Sequence, residues 1–375
     1  QKTAYEIRPR DWSSDVCSSD LRTMDGGATA AGWKRLSGQG GLLEYSVVDI
    51  VEDPGVTKRF YVSLAGTESS PPGTVGVYRA DDVTLADPNG INWQQDSAGL
   101  VPDTDHNGVF GGPGETLDSV QRIRLTIGAT AGSPVYAALI APRGGSRELA
   151  GVFMKANPAA SWVALVNPAA PQTPVTNATG QGDDHFAMAV DPTNASSVYI
   201  TGAIKLASPY PAIALRWDGN TTGWTQITSD SGSGPGAFNT APHGDVRNLA
   251  FASAPSLATP TQLVLVSDGG VFRLDNPRAG AASPAWSFAG SSLRITEFVY
   301  SIAYDSNTNS IFAGTQDNGS LRETGTPNVW TDQTGGDGNF VAATQTAGAA
   351  IRYYGSNNIR SIFTRTFNVV DPPAS

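Results

Sequence analysis

The sequence predicts an all-β chain of the β-propeller class, and three observations predict it. Tryptophan recurs at long, similar intervals: Trp33, Trp93, Trp162, Trp224, Trp286 and Trp330 stand 60, 69, 62, 62 and 44 residues apart. Each of the last five follows three short apolar runs of the kind that form strands. Between the runs lie Gly, Asn, Asp and Pro turns, with no helical periodicity, which argues for a repeat of small sheets over a sandwich.

The units run in order along the chain. Runs at 47–51, 60–64 and 75–79 lead to Trp93; runs at 123–127, 135–139 and 150–155 lead to Trp162. The third unit (186–190, 198–200, 213–216) leads to Trp224, the fourth (246–251, 263–266, 270–273) to Trp286 and the fifth (300–304, 311–313, 319–322) to Trp330. Asp191-Pro192 and Asp305-Ser306 fall where the first two strands of their units turn, as an Asp side chain favours. A sixth unit has runs at 340–344, 351–354 and 361–364 and no Trp strand, whereas the Trp33 strand stands alone at the front. A ring closes if the Trp33 strand completes the last blade, pairing two edges at once. Six blades is the economical count, and a seventh is allowed if the ends are cut. The expected propeller covers 22–370, with 371–375 as a tail or linker that includes Pro372-Pro373.

Residues 1–21, QKTAYEIRPRDWSSDVCSSDL, resemble a codon-by-codon translation of sequencing-adapter DNA. The expectation is a non-native segment, excluded from fold reasoning with its Cys17, the chain's one cysteine. Residues 22–375 then offer no disulfide, zinc-thiolate site or thiol nucleophile.

The chain carries a net charge of −10, and beyond residue 21 its lysines are Lys34, Lys58, Lys155 and Lys205, scattered. Nucleic-acid or anionic-membrane binding needs clustered cations, so those partners are not expected. No apolar run is long enough for a membrane-spanning helix. Low lysine with abundant small residues fits an exported bacterial protein, placed outside the cell or at its surface, and a monomer is expected.

The repeat resembles the sialidase-like Asp-box (BNR) propellers, whose motif is roughly Ser-x-Asp-x-Gly-x-Thr-Trp. The nearest match is Arg216-Trp217-Asp218-Gly219 running to Trp224; Arg79-Ala80-Asp81-Asp82 and Arg273-Leu274-Asp275-Asn276 keep less of it. His243-Gly244-Asp245, Ser267-Asp268-Gly269-Gly270, Gln316-Asp317-Asn318-Gly319 and Gly336-Asp337-Gly338 resemble secreted bacterial propellers described as glycosyl-hydrolase-like. The resemblance covers 184–368 well and 44–167 weakly, and it implies the fold. It leaves activity open, because such repeats serve glycosidases, receptors and assembly factors. The sequence shows no sialidase-type arginine triad and no counterpart of the two catalytic aspartates of family 74 xyloglucanases.

In a propeller, loops leading into the innermost strands and loops joining strands two and three open on one face. The first set here carries Glu44, Asp118, Asp184 with His185, His243 with Asp245, Glu297 and Asp337; the second supplies Asp268, Gln316, Asp317 and Asn318. All three histidines, His106 included, lie in or near these loops. The loops between strands two and three are long in the first three units (66–74, 141–149, 203–211) and tight in the last three. Asp268-Gly269 and Asn318-Gly319 also suit primed hairpin turns, His185 also suits a structural hydrogen bond, and Glu44 and Glu297 also suit solvated surface. His243-x-Asp245 suits a histidine oriented by a carboxylate.

Acidic groups round one axis repel unless something compensates. A proton shared between carboxylates would serve glycoside hydrolysis, with Asp245 and Asp337 as candidates. Alternatively a hard cation, Ca²⁺, would take oxygens from Asp317, Asn318 and Asp337. In a third arrangement the mouth is a platform for a polysaccharide or a protein segment. The expected function is therefore carbohydrate binding or hydrolysis, with a protein-interaction or cell-surface module as the alternative.

Overall fold

A computed structural model describes residues 21–23, 33–54, 59–66, 71–83, 88–130, 132–144, 146–166, 180–202, 211–219, 223–228, 242–252, 262–278, 286–289, 298–305, 310–316, 319–323, 329–334, 337–346, 349–356 and 361–368. Among them the chain is all-β, with two three-residue 3-10 turns. β1 (Leu21–Thr23) and β2 (Trp33–Arg35) form a two-stranded ribbon. Four-stranded antiparallel meanders come next. The first is β3 (Ser46–Glu52), β4 (Phe60–Ala65), β5 (Gly76–Ala80) and β6 (Gln94–Gln95); the second is β7 (Arg122–Ile127), β8 (Val135–Arg143), β9 (Ser146–Lys155) and β10 (Val163–Ala164). The third is β11 (Ala187–Asp191), β12 (Asn194–Thr201), β13 (Ala214–Trp217) and β14 (Trp224–Gln226); the fourth is β15 (Val246–Phe251), β16 (Gln262–Ser267), β17 (Gly270–Asp275) and β18 (Trp286–Phe288). The fifth is β19 (Phe298–Asp305), β20 (Ser310–Thr315), β21 (Ser320–Glu323) and β22 (Trp330–Thr334), and a three-stranded sheet of β23 (Gly338–Thr346), β24 (Ala349–Ser356) and β25 (Ser361–Asn368) ends the series.

The chain divides into two compact units, 1–265 with 273–287, and 266–272 with 288–375. In the first unit the meanders pack face to face, as propeller blades do. Strand β8 shows why. Its run from Val135 to Ala141 is wholly buried because both faces are covered. Val135, Ala137 and Leu139 share a core with Tyr61, Val75 and Val77 of the first sheet. Tyr136, Ala138 and Ile140, pointing the other way as strand pleating requires, share one with Val198, Ile200 and Trp217 of the third. In the second unit Phe312 and Val341 make a smaller core, with Ala303 against it.

The recurrent tryptophans lock sheet to sheet. The indole N–H of Trp162 donates to the Asp96 carbonyl (2.7 Å), that of Trp224 to Leu165 (3.1 Å) and that of Trp286 to Ile227 (2.7 Å). Each acceptor lies three residues beyond the preceding unit's tryptophan, so one sequence period encodes one hydrogen bond. Gly99, at φ +95°, lets the chain pass directly under the Trp162 backbone, where a Cβ would collide. A second recurrent device is a buried aspartate at or one residue past the end of an innermost strand: Asp53, Asp191 and Asp305. Asp191 accepts the Thr193 and Asn194 amides and is gripped by both prongs of Arg278 at 2.5 Å. Burial alone would raise its pKa, but the Arg278 and Thr193 hydrogen bonds outweigh it and hold the carboxyl below the ordinary value.

Three expectations need correction. Trp33–Arg35 is bonded to Leu21–Thr23, and the last sheet has three strands without it. The nine-residue connection makes the local pairing far less costly to close than one spanning the whole chain. Residues 141–149 are not a long loop: β8 and β9 stay paired up to Arg143 opposite Ser146. Asp268 and Gly269 do not form a primed turn, since among the described residues the positive φ falls on Gly270 (+123°). Residues 203–210 lie outside the described set.

Candidate functional site

In the first unit the innermost strands β3, β7, β11 and β15 neighbour one another in that order, and a row of charged groups runs across them. Its buried element is His185. The turn before it is pinned to β9: the Arg147 amide donates to Gly180 (2.6 Å), the Gly182 amide returns to Arg147 (2.9 Å), and the His185 amide closes on Gln181 (2.8 Å). Phe186, fully buried, anchors the next residue. These bonds leave the His185 ring 5% exposed, with Nδ1 3.0 Å from Asp245 Oδ1.

Asp245 comes from the loop leading into β15. It adopts the left-handed conformation (φ +56°), which Asp tolerates better than most residues. The segment is held by backbone bonds on both sides, Ala212 to Pro242 (2.9 Å) and Val246 to Gly202 (3.4 Å). The predicted pairing of His243 with Asp245 is thus replaced by a pairing with His185, because the φ reversal turns the carboxylate toward the neighbouring loop. His243 donates Nδ1–H to the Gly244 carbonyl (3.1 Å). Burial alone would raise the Asp245 pKa; the His185 hydrogen bond and the charges of His185, His243 and Arg247 outweigh it and hold the carboxyl below its ordinary value.

On β7, Ile123 and Leu125 enter the core while Arg122 and Arg124 alternate with them and stay half-buried. Asp49 of β3 bridges to that strand, accepting the Leu125 amide (3.0 Å), with the Arg124 guanidinium 3.9 Å away. Burial pushes the Asp49 pKa up, and the Leu125 hydrogen bond and Arg124 only partly oppose it. Burial likewise pushes Arg122 down, as does Arg124, against the pull of Asp184, Asp183 and Asp49.

Of the residues singled out in the sequence, Asp184, His185, His243 and Asp245 therefore share this row, with Asp184 at its exposed rim. Glu44 pairs with Arg35, and Asp118 accepts the Gly73 amide (2.7 Å). Asp268, Gln316 and Asp337 belong to the second unit, where Asp337 makes a parallel bridge with Gly319. Glu297, Asp317 and Asn318 lie outside the described residues. Sequence reasoning missed Asp49, Arg122 and Arg124. The signal was present: charges at alternate places in the otherwise apolar runs VVDIV and RIRLTI.

Among the described residues, Asp103, Asp105 and Glu115 are the set able to hold a metal ion, their oxygens lying within 4.8 Å of one another. Asp103-x-Asp105-x-Asn107-Gly108 opens as a calcium loop does, although Glu115 falls one place later than that pattern's glutamate. Backbone donors already occupy the oxygens: Asn107 and Gly108 on Asp103, Thr104, Asp105 and Gly112 on Glu115. Beside the loop, the His106 ring is held between the Leu149 carbonyl at Nε2 (3.0 Å) and Arg143 at Nδ1 (3.3 Å).

No protein-family model matches the sequence, and no curated protein matches it. The fold is similar to a solved β-propeller, the glycoside hydrolase family 74 xyloglucanase of Xanthomonas campestris, at TM-score 0.52 and 15% identity over 84% of this chain and 41% of that one. A family 74 enzyme of Niastella koreensis (TM-score 0.47, 15% identity, 88% and 51% covered) and the α-L-arabinanase of Penicillium chrysogenum (0.36, 10%, 87% and 94%) also match. The chain spans about half the length, or less, of the two family 74 enzymes. The class is thereby set: an all-β, propeller-like chain of four-stranded antiparallel sheets.

Proposed function

We propose that the chain is an extracellular, glycan-binding β-propeller of six blades, with its ligand site along the innermost strands of the first unit. The observation that carries this reading is the buried His185–Asp245 pair at 3.0 Å, set in a row with Arg122, Arg124 and Asp184. A carboxylate 3.0 Å from Nδ1 holds the imidazole in place electrostatically. Such a pair is costly to bury for packing alone, and it suits the recognition of hydroxyl groups. Hydrolysis at the same site would use Asp245 as the ionised carboxylate, since its pKa is held low, with a second group giving the proton.

Affinity electrophoresis against a polysaccharide panel, with a reducing-sugar assay on the same mixtures, tests the reading. Xyloglucan, the substrate for which the Xanthomonas enzyme is named, belongs in the panel. Retention without new reducing ends supports binding, and new ends support hydrolysis. Absence of both, with a protein partner co-purifying, would favour the interaction-module alternative.

A further inference from the structure

Arg122 is placed oddly for a structural arginine. It is half-buried on β7, and among the described residues it donates no hydrogen bond and has no carboxylate in contact. Of the nearby acids, Asp184 pulls on it most but is exposed and makes no ion pair with it among the described residues, and the other two are engaged. Asp49 takes the Ile50 and Leu125 amides (both 3.0 Å), and Asp183 leans toward Arg147 (3.7 Å). A guanidinium has five N–H donors in a rigid fork, and leaving them unmatched in a partly dry site is unfavourable. Arg124, two residues along on the same side of the strand, adds a second cation whose one described acid partner is 3.9 Å away. Two cations stand on one side of β7, one of them with no hydrogen bond or ion pair among the described residues, and together they offer a seat for an anion.

We propose that Arg122 and Arg124 bind a singly charged acidic group on a saccharide, so that the glycan is a uronate- or sulfate-bearing polymer. This rests on the glycan reading above and adds the substrate class. A planar carboxylate or a sulfate ester fits the guanidinium fork with two parallel hydrogen bonds. Asp49, Asp183 and Asp184 near the seat oppose any anion, and the opposition grows with its charge, so a single charge is preferred to a phosphate's two. Burial and Arg124 already press on the Arg122 cation, and an incoming anion relieves both.

The test is calorimetric titration of the whole chain with four oligosaccharides: oligogalacturonate, its methyl ester, a sulfated galactan fragment and a xyloglucan fragment. Oligogalacturonate or the sulfated fragment should bind about tenfold or more tighter than the methyl ester and xyloglucan, a charge-assisted fork being worth at least that. Which acid wins identifies the group. Arg122→Gln should erase the preference while leaving the melting temperature unchanged. Should that variant fail to fold, the acid-against-ester comparison on the unaltered protein still decides. Equal binding of acid and neutral sugars overturns the inference and leaves glycan binding standing. Binding of none of the four overturns the inference; failure of every glycan in the wider panel would take the functional reading with it.

Discussion

Replacing Trp286 by Phe removes an indole N–H that donates to the Ile227 carbonyl at 2.7 Å in a site 1% exposed. The change has two effects: a smaller ring leaves a void, and a buried acceptor loses its donor. Trp93 separates them. It is 4% exposed, and its indole nitrogen has no hydrogen-bond partner among the described residues. Trp93→Phe therefore creates the void without breaking a bond, and it removes an unmatched donor as well. The void cost is common to both, so the difference reports the lost inter-sheet bond together with the donor relieved at Trp93, at about 1–3 kcal/mol for each buried polar group left unpaired. Urea unfolding monitored by far-UV circular dichroism gives each free energy. A melting scan should show the same order, at about 1–2 °C per kcal/mol for a chain of 375 residues. Trp162→Phe and Trp224→Phe, whose donors are also engaged, should group with Trp286. If Trp93→Phe costs as much as the other three, the inter-sheet hydrogen bonds contribute nothing beyond ring packing and the argument for the period fails.

The remaining expectations concern the charged groups. Arg278→Ala leaves the buried Asp191 carboxylate without its bidentate partner and should cost about 3 kcal/mol in urea unfolding; a loss under about 1 kcal/mol would refute the grip. Asp245 has a depressed pKa in the folded state, so its share of stability is present above the ordinary value of 3.8 and is lost as pH falls through the lower folded value. Asp245→Asn should flatten that acid limb, and an unchanged limb would count against the His185 pairing. Asp49 has the opposite sign: its raised pKa makes the charged form unfavourable in the fold, so stability rises as pH falls toward it. Asp49→Asn should abolish that rise and leave neutral-pH stability equal or higher. Glu115→Gln, which weakens an acceptor of four donors from Thr104, Asp105 and Gly112, should cost about 1–3 kcal/mol and speed amide exchange across 103–115.

Much of the fold could be read from the chain because the repeat writes itself twice, once in strand spacing and once in tryptophan. All eighteen runs marked in the sequence fall on or overlap described strands, since short apolar segments bounded by Gly, Asn and Asp have few alternatives. Chain-end pairing was not legible: the Trp33 strand could satisfy its edge with any strand, and the sequence does not rank Leu21–Thr23 against the last sheet. Loop length misled at 141–149, where Pro142 and Gly144 read as loop yet the strands stay paired up to Arg143 and Ser146. Within the site, His185 and Asp245 were legible as candidates but their partnership was not. It depends on a left-handed φ at a non-glycine residue, which no spacing rule announces. Arg122 and Arg124 were overlooked because they sit within a strand, at alternate positions of an apolar run, rather than in the loops where polar ligand groups are expected.

Three histidines offer a direct probe. Long-range proton–nitrogen spectra of the imidazoles, recorded as a retained glycan is added, track each ring separately. His185 and His243 should shift, His185 most, while His106, tied to Leu149 and Arg143, stays still. A glycan that binds tightly and leaves the His185 resonances unmoved would place the ligand elsewhere and contradict the site proposed for the first unit.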